Sequence, residues 1–213
     1  MKNSEMTVTA AQMKEIERQA DEGGLSYRRM MENAGTAAYK IIKERFPEAK
    51  SFAIFAGKGN NAGDGFVLAR LAAKEGKKAL VILTEGEPKT ADAIANFALL
   101  KDLSIEVISI DEINEPVKAD IIIDAIYGTG FHGDLRPAGE KACALINSSE
   151  GAAVALDVPS GVNCDSAKAA EGAVKALLTI SFHAFKPVHV SEEAKQYCGE
   201  SVIADIGIKS EDK

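Results

Sequence analysis

A chain of 213 residues with 46% hydrophobic content can bury about 70% of its unfolded surface in one core, so one domain over 1–213 is expected. The net charge of −7, without a long run of Lys or Arg, argues against nucleic acid or an anionic membrane as the main partner, since phosphate backbones are held by clustered cations. Cys143, Cys164 and Cys198 are widely spaced and odd in number, which suggests neither disulfides nor a C-x-x-C zinc site. With no targeting pattern in Met1–Thr7 and no apolar stretch near ~20 residues, a soluble protein of the reducing cytoplasm is expected.

In chain order, residues 9–46 read as two helices. Thr9-Ala-Ala-Gln12 resembles a capping box leading into Met13, Ile16 and Ala20 at helical spacing, and Gly23-Gly24 ends that element. A second helix starts at Ser26, carries Met30, Met31, Ala34, Ala38, Ile41 and Ile42 on one stripe, and stops before Pro47. In the region 51–208, strand-like runs at 52–56, 79–83, 105–110, 120–126, 152–158, 177–182 and 201–206 alternate with helical candidates at 63–76, 89–102 and 136–148. Runs apolar at nearly every position, such as Ile121–Ile123 and Ala152–Leu156, suit a parallel sheet covered on both faces. The expected fold is a three-layer αβα sandwich with a Rossmann-like, mostly parallel sheet. The two N-terminal helices pack on that sheet or on a partner.

The first strand runs into Gly57-Lys-Gly-Asn-Asn-Ala-Gly-Asp-Gly65 and then into a helical segment. Glycines at 57, 59, 63 and 65 are read as permitting positive φ and close approach, and the helix start offers unpaired N–H groups to an anion. Gly57, Gly59 and Gly63 give G-x-G-x-x-x-G, one residue too long for the dinucleotide fingerprint, and Gly63-Asp64 lacks the G-K-[ST] end of a P-loop. Asn60, Asn61 and Asp64 exceed what a bare phosphate cradle needs. A ligand-free Gly/Asn turn is the plain alternative.

Two further strands end similarly. One leads into Asp124-Ala-Ile-Tyr-Gly-Thr-Gly-Phe-His-Gly-Asp134, the other into Asp157-Val-Pro-Ser-Gly161. In an open α/β sheet such ends converge on one rim. Asn61, Asp124 and Ser160 then form an all-oxygen cage with one formal charge, which suits a weakly held K⁺, with Mg²⁺ as competitor.

These segments, with Met30-Met-Glu-Asn-Ala-Gly35, Lys186, Cys198-Gly199 and Asp205-Ile-Gly207, occur in the order found in the YjeF N-terminal domain family, and the chain resembles that family from about Thr9 to Ile208. The family is identified with NAD(P)HX epimerase. The resemblance implies a Rossmann-like homodimer that interconverts the R and S forms of hydrated NADH or NADPH. It implies that Asn60, Asn61, Ala62, Gly63 and Asp64, with Gly128, Thr129, Gly130, Phe131, His132, Gly133 and Asp134, line the hydrated nucleotide. Asp157 then contacts it, and Asn61, Asp124 and Ser160 hold one K⁺ per subunit. Ala62 replaces a glycine common in the family, and 164–179 lacks its usual patterns. No dehydratase domain is read after Ile208, so repair would couple to a separate S-specific dehydratase.

On that resemblance, Asp157 is the expected acid/base that protonates the departing hydroxyl and deprotonates the returning water. Asp64 is the rival, read as a helix-start cap; Asp134 and the loop residue His132 are others. Lys186 either screens a phosphate or ribose or is a surface lysine. Glu85 follows the second strand, where dinucleotide folds place a ribose-binding acid. A non-catalytic nucleotide-binding dimerisation scaffold of the same fold is the alternative, and a generic nucleotide-dependent transferase a third.

Overall fold

The computed structural model describes residues 7–103 and 105–209, so the readings of Met1–Met6 and of the tail beyond Lys209 lie outside the described residues. Helix α1 (Ala10–Glu22) starts with a capping box: Gln12 N–H donates to Thr9 Oγ1 at 3.2 Å, and Thr9 N–H donates to Gln12 Oε1 at 2.8 Å. It ends at Gly23, with Gly24 at φ +96°. Ser26 caps α2 (Tyr27–Arg45) by accepting from Arg29 N–H, and Phe46 closes it one residue before Pro47.

Seven strands follow: β1 (Ser51–Ala56), β2 (Lys78–Leu83), β3 (Glu106–Ser109), β4 (Lys118–Ala125), β5 (Glu150–Leu156), β6 (Leu178–Phe182) and β7 (Glu200–Ala204). They form one sheet in the order β3-β2-β1-β4-β5-β6-β7, with every neighbouring pair parallel. Helices α3 (Asn60–Lys74), α4 (Ala91–Ala98) and α5 (Pro137–Ser148) connect them, and two short helices, α6 (Pro187–Val190) and α7 (Lys195–Cys198), precede β7. Strand alternation divides the core. Phe52, Ile54 and Ala56 of β1 face Met30, Ala34, Ala38 and Ile42 of α2 and Phe66 and Leu68 of α3. Ala53 and Phe55 face the other way, against Ile122, Cys143 and Ile146. Burial on both faces yields the near-continuous apolar runs, each fully buried Ile or Phe contributing about 1.5–3 kcal/mol. The methionine stripe of α2 thus packs on the chain's own sheet.

The structure corrects three expectations. Helix α3 begins at Asn60, not 63, with Gly59 as its N-cap, so Asn60, Asn61 and Asp64 stand on a helix turn instead of a loop. None of Gly57, Gly59, Gly63 and Gly65 adopts positive φ. Close approach is what excludes side chains at three of them: an added Cβ would lie 2.2 Å from Ile126 O at Gly57, 2.3 Å from Met31 Sδ at Gly63 and 2.8 Å from Ala125 Cβ at Gly65. The third correction concerns ends. β3 gives way to a 3₁₀ turn (Ile110–Glu112), and β4 and β5 stop one and two residues early, which frees Asp157 from the ladder.

Gly35 marks the tightest crossing of α2 over α3, where an added Cβ would sit 2.5 Å from Val67 Cβ and 2.6 Å from the Asp64 carbonyl. Gly35→Ala gains about 1 kcal/mol of helix propensity but forces α3 backbone aside, an overpacking cost of about 1–3 kcal/mol. Urea unfolding is expected to show net destabilisation with an unchanged m value.

Candidate active site

The order β3-β2-β1-β4 reverses the direction of winding at β1, and the crevice between the carboxyl ends of β1 and β4 is where such a sheet binds ligands. A cleft of about 640 Å³ opens there. Asn60, Asn61 and Asp64 line it from the first turns of α3; Gly128, Thr129, Gly130, Phe131, His132 and Asp134 line it from the loop after β4; Asp157 lines it from the end of β5. Three residues expected on the wall are not on it. Ala62 is fully buried behind it, Gly63 packs under Met31, and Gly133 turns away at φ +79°. Asp124 and Ser160 are fully buried and do not line the cleft.

Asp157 is one of three non-glycine residues with positive φ among the described residues, at +65°. That conformation costs about 1–2 kcal/mol and turns the strand sharply. Its N–H still donates to Ile180 O, and its carbonyl lies 2.8 Å from His189 Nε2. Because Lys186 N–H donates to His189 Nδ1 at 2.9 Å, the imidazole carries its proton on Nε2 and donates to Asp157. Burial lowers the His189 pKa, in keeping with that neutral form. The carboxylate accepts from Lys186 Nζ at 2.9 Å on Oδ1 and from Thr129 N–H at 3.0 Å on Oδ2. Burial pushes the Asp157 pKa up, but the Lys186 ammonium, His189 and the Thr129 amide outweigh it, and the net shift is downward. Lys186 is 1% exposed and also donates to Ser181 Oγ and Phe182 O, so it is no surface lysine.

Asp64 faces the same space in the opposite state. It is 8% exposed, and burial first, then the charges of Asp157 and Glu17, hold its pKa well above the ordinary 3.8. The capping role expected for it is not what the structure shows. The two carboxyls are therefore driven apart, Asp157 to the ionised form and Asp64 to the protonated one.

Beside the cleft, Ser160 Oγ donates to Asp124 Oδ1 at 2.6 Å and its N–H to Oδ2 at 2.7 Å, while Tyr127 N–H donates to Ser160 Oγ. Burial raises the Asp124 pKa to about 6 against these donors. Asn61 Nδ2 donates to Tyr127 O at 3.0 Å and Leu156 O at 3.2 Å, which orients the amide and leaves Oδ1 buried with no hydrogen-bond partner among the described residues. At the cleft's other end, Glu85 beyond β2 accepts from Tyr127 OH at 3.1 Å and pairs with Arg136 at 3.2 Å and Lys58 at 3.5 Å.

Sequence reasoning missed Glu17, Lys58, Tyr127, Arg136 and Phe182 as lining residues and the support from His189. Glu17 had a signal: it lies four residues after buried Met13, so a carboxyl interrupts the inward face of α1. His189 follows Lys186-Pro187 at the spacing of a first helical turn, a pattern that only the turn geometry makes meaningful. Lys186→Met leaves the Asp157 carboxylate in the fold without its cation, a loss of about 3–5 kcal/mol. A denaturant titration near neutral pH is expected to show it. The loss shrinks toward acid pH, where Asp157 takes up a proton.

A family model of the YjeF-related protein N-terminus matches residues 27–188. The bifunctional NAD(P)H-hydrate repair enzyme Nnr of Coxiella burnetii is 39% identical over 199 residues, covering 92% of this chain; the chain spans 40% of that protein's length. The NAD(P)H-hydrate epimerase of Cenarchaeum symbiosum is 35% identical over 210 residues, covering 97% of each. Among solved structures, yeast ynu0 superposes with a TM-score of 0.76 over 93% of this chain and 87% of its own at 23% identity, a likeness of fold. With the family match extending over most of its length and these relatives covering nearly all of it, the chain belongs to the YjeF-related N-terminal family.

Proposed function

We propose that this chain epimerises hydrated NADH and NADPH at C6 of the nicotinamide ring. The observation that carries the reading is one cleft at the switch point of the sheet lined by two carboxyls in opposite surroundings, Asp157 against the Lys186 ammonium with its pKa lowered and Asp64 with its pKa raised by burial. The names of the relatives point to the same substrate. In the hydrate the C6 hydroxyl sits next to the ring nitrogen. The nitrogen lone pair expels it as Asp64 gives it a proton, leaving water and a planar iminium. Water adding to the opposite face gives its proton to Asp157, and the centre is inverted. This divides between two residues a task first assigned to Asp157 alone. General acid–base assistance of this kind is worth about 10²–10⁴ in rate.

The rest of the nucleotide follows the sheet. The start of α3 has no side-chain cap, and a Cβ at its N-cap Gly59 would meet nothing within 4 Å, so its amides are open to a diphosphate. Lys58 and Arg136 flank that approach, and the adenosine end extends toward Glu85 beyond β2.

The oxygen cluster of Asn61, Asp124 and Ser160 fits a K⁺ ion, since the unpartnered Asn61 Oδ1 needs a ligand and one carboxylate suits one charge. Bound there, K⁺ would be held by Asn61, Asp124 and Ser160, would supply positive charge beside the cleft and would tie α3 to the loops after β4 and β5. The homodimer implied by the family resemblance and the cytoplasmic setting expected from the cysteine usage belong to the same proposal. Three buried free thiols suit a reducing compartment. Bifunctional relatives support coupling to an S-specific dehydratase.

Racemic NADHX mixed with the protein and an S-specific dehydratase is expected to be consumed fully; a stall at half would sink the reading. Asp157→Asn and Asp64→Asn are each expected to lower kcat by about 10²–10⁴ with the fold intact by circular dichroism. The pH profile is expected to be bell-shaped. Its acid limb lies below 3.8, where Asp157 gains a proton, and its alkaline limb well above 3.8, where Asp64 loses one. Asp64→Asn should abolish the alkaline limb. Replacing K⁺ by tetramethylammonium is expected to weaken NADH binding and lower the thermal midpoint; unchanged values would count against the ion.

A further inference from the structure

Helix α1 brings into the cleft a carboxyl that the chemistry above does not use. Glu17 lies one turn beyond buried Met13 and lines the cleft with Asp64, Asp157 and Lys186. The start of α1 is tied to the segments that follow β5 and β6: Val8 N–H donates to Phe185 O at 2.9 Å, and Ala10 N–H to Asp165 Oδ1 at 2.9 Å. Glu17 and Asp64 also share the narrow recess lined by Tyr27, Met30 and Asn60. Among the described residues Asp157 and Lys186 are the charges that act on Glu17, both through space without a hydrogen bond.

Epimerisation with two carboxyls has a proton ledger that must be reset. Each inversion breaks the C6–O bond with a proton taken from Asp64 and forms the new one with a proton delivered to Asp157. The substrate regains its composition, but the enzyme ends with Asp64 ionised and Asp157 protonated. Starting another cycle requires one proton to travel from Asp157 to Asp64. Asp64 is 8% exposed and the Asp157 side chain 13%, so neither exchanges freely with bulk water while the ring occupies the cleft.

We propose that Glu17, acting within the epimerase reading above, carries this proton from Asp157 to Asp64 while the nicotinamide ring still occupies the cleft, and exchanges it with solvent. Its position suits that task, half-buried in the wall of the same cleft as Asp157, with Asp64 buried deeper. Burial, then the Asp157 charge, raises its pKa above the ordinary 4.5, against the lowering effect of Lys186. That brings its proton affinity toward that of Asp64, which is raised by the same causes. A carboxyl so placed can take up a proton and pass it on, directly or through one cleft water. Glu17 is in this sense a relay and not a group that touches the reacting carbon.

The test is Glu17→Gln, which keeps shape and removes the titrating proton, assayed with purified NADHX epimers at low buffer concentration. The expected result is a kcat lowered about tenfold or more at unchanged KM and unchanged thermal midpoint. Added acetate is expected to restore kcat in a concentration-dependent way, and Glu17→Asp to retain much of it. A Glu17→Gln enzyme with wild-type kcat at low buffer overturns the relay, as does a lowered kcat that acetate leaves untouched. A wild-type protein that fails to epimerise removes the epimerase reading and the relay with it. An active wild type with an indifferent Glu17→Gln removes the relay alone.

Discussion

The ion pair between Lys186 and Asp157 is the constraint around which the site is organised. An ammonium 1% exposed cannot be accommodated without a close anion and a full set of acceptors, and Lys186 has Asp157 Oδ1, Ser181 Oγ and Phe182 O. Because both partners are buried, the pair contributes little net stability compared with an apolar packing of the same volume. Its consequence is specificity of charge state. Asp157 is held ionised inside a low-dielectric cleft, while burial first and then the Asp157 charge push its neighbours Asp64 and Glu17 toward their protonated forms.

Backbone geometry serves the same pair. Positive φ at Asp157 swings its side chain off the end of β5, and that strained conformation is held from both sides, by Ile180 O on its N–H and by His189 on its carbonyl. His189 is itself oriented by the Lys186 amide, so the segment from 186 to 189 supplies both the counter-ion and the clamp. Beside it, the Asp124–Ser160 hydrogen bonds join the loops after β4 and β5, and Asn61 links the start of α3 to both. Three connections that are far apart in the chain are thereby locked into one surface.

The division of the cleft follows from the sheet. Titratable groups gather at the ends of β5 and β6, open helix amides stand at the β1 end, and a cation-flanked carboxylate lies past β2. A dinucleotide derivative laid along this rim meets chemistry at one end, anion recognition at the centre and a polar pocket at the other. In the proposed reaction, proton transfer is confined to the end lined by α1.

Much of this was legible in the chain as written. Apolar runs of strand length between helical stretches determine a parallel sheet covered on both faces, and Thr9–Gln12, Ser26 and Gly23-Gly24 mark helix ends because capping is local chemistry. Glycine-bearing strand ends at Asn61, Asp124 and Asp157 identified the rim, since parallel strands must all end on the same side. Long-range packing decided the rest. Whether Lys186 was a surface residue or a buried counter-ion depended on the return of β6 beside β5. Whether Asp64 capped a helix or faced a charge depended on where α3 begins. The glycines of 57–65 were read as conformational devices, but what crowds a side chain there is the Ile126 backbone and the side chains of Met31, Ile54 and Ala125. Residue types and their local spacing determined the elements and the candidate groups; charge states and partners arose only when the fold set a solvent-poor distance between residues remote in sequence.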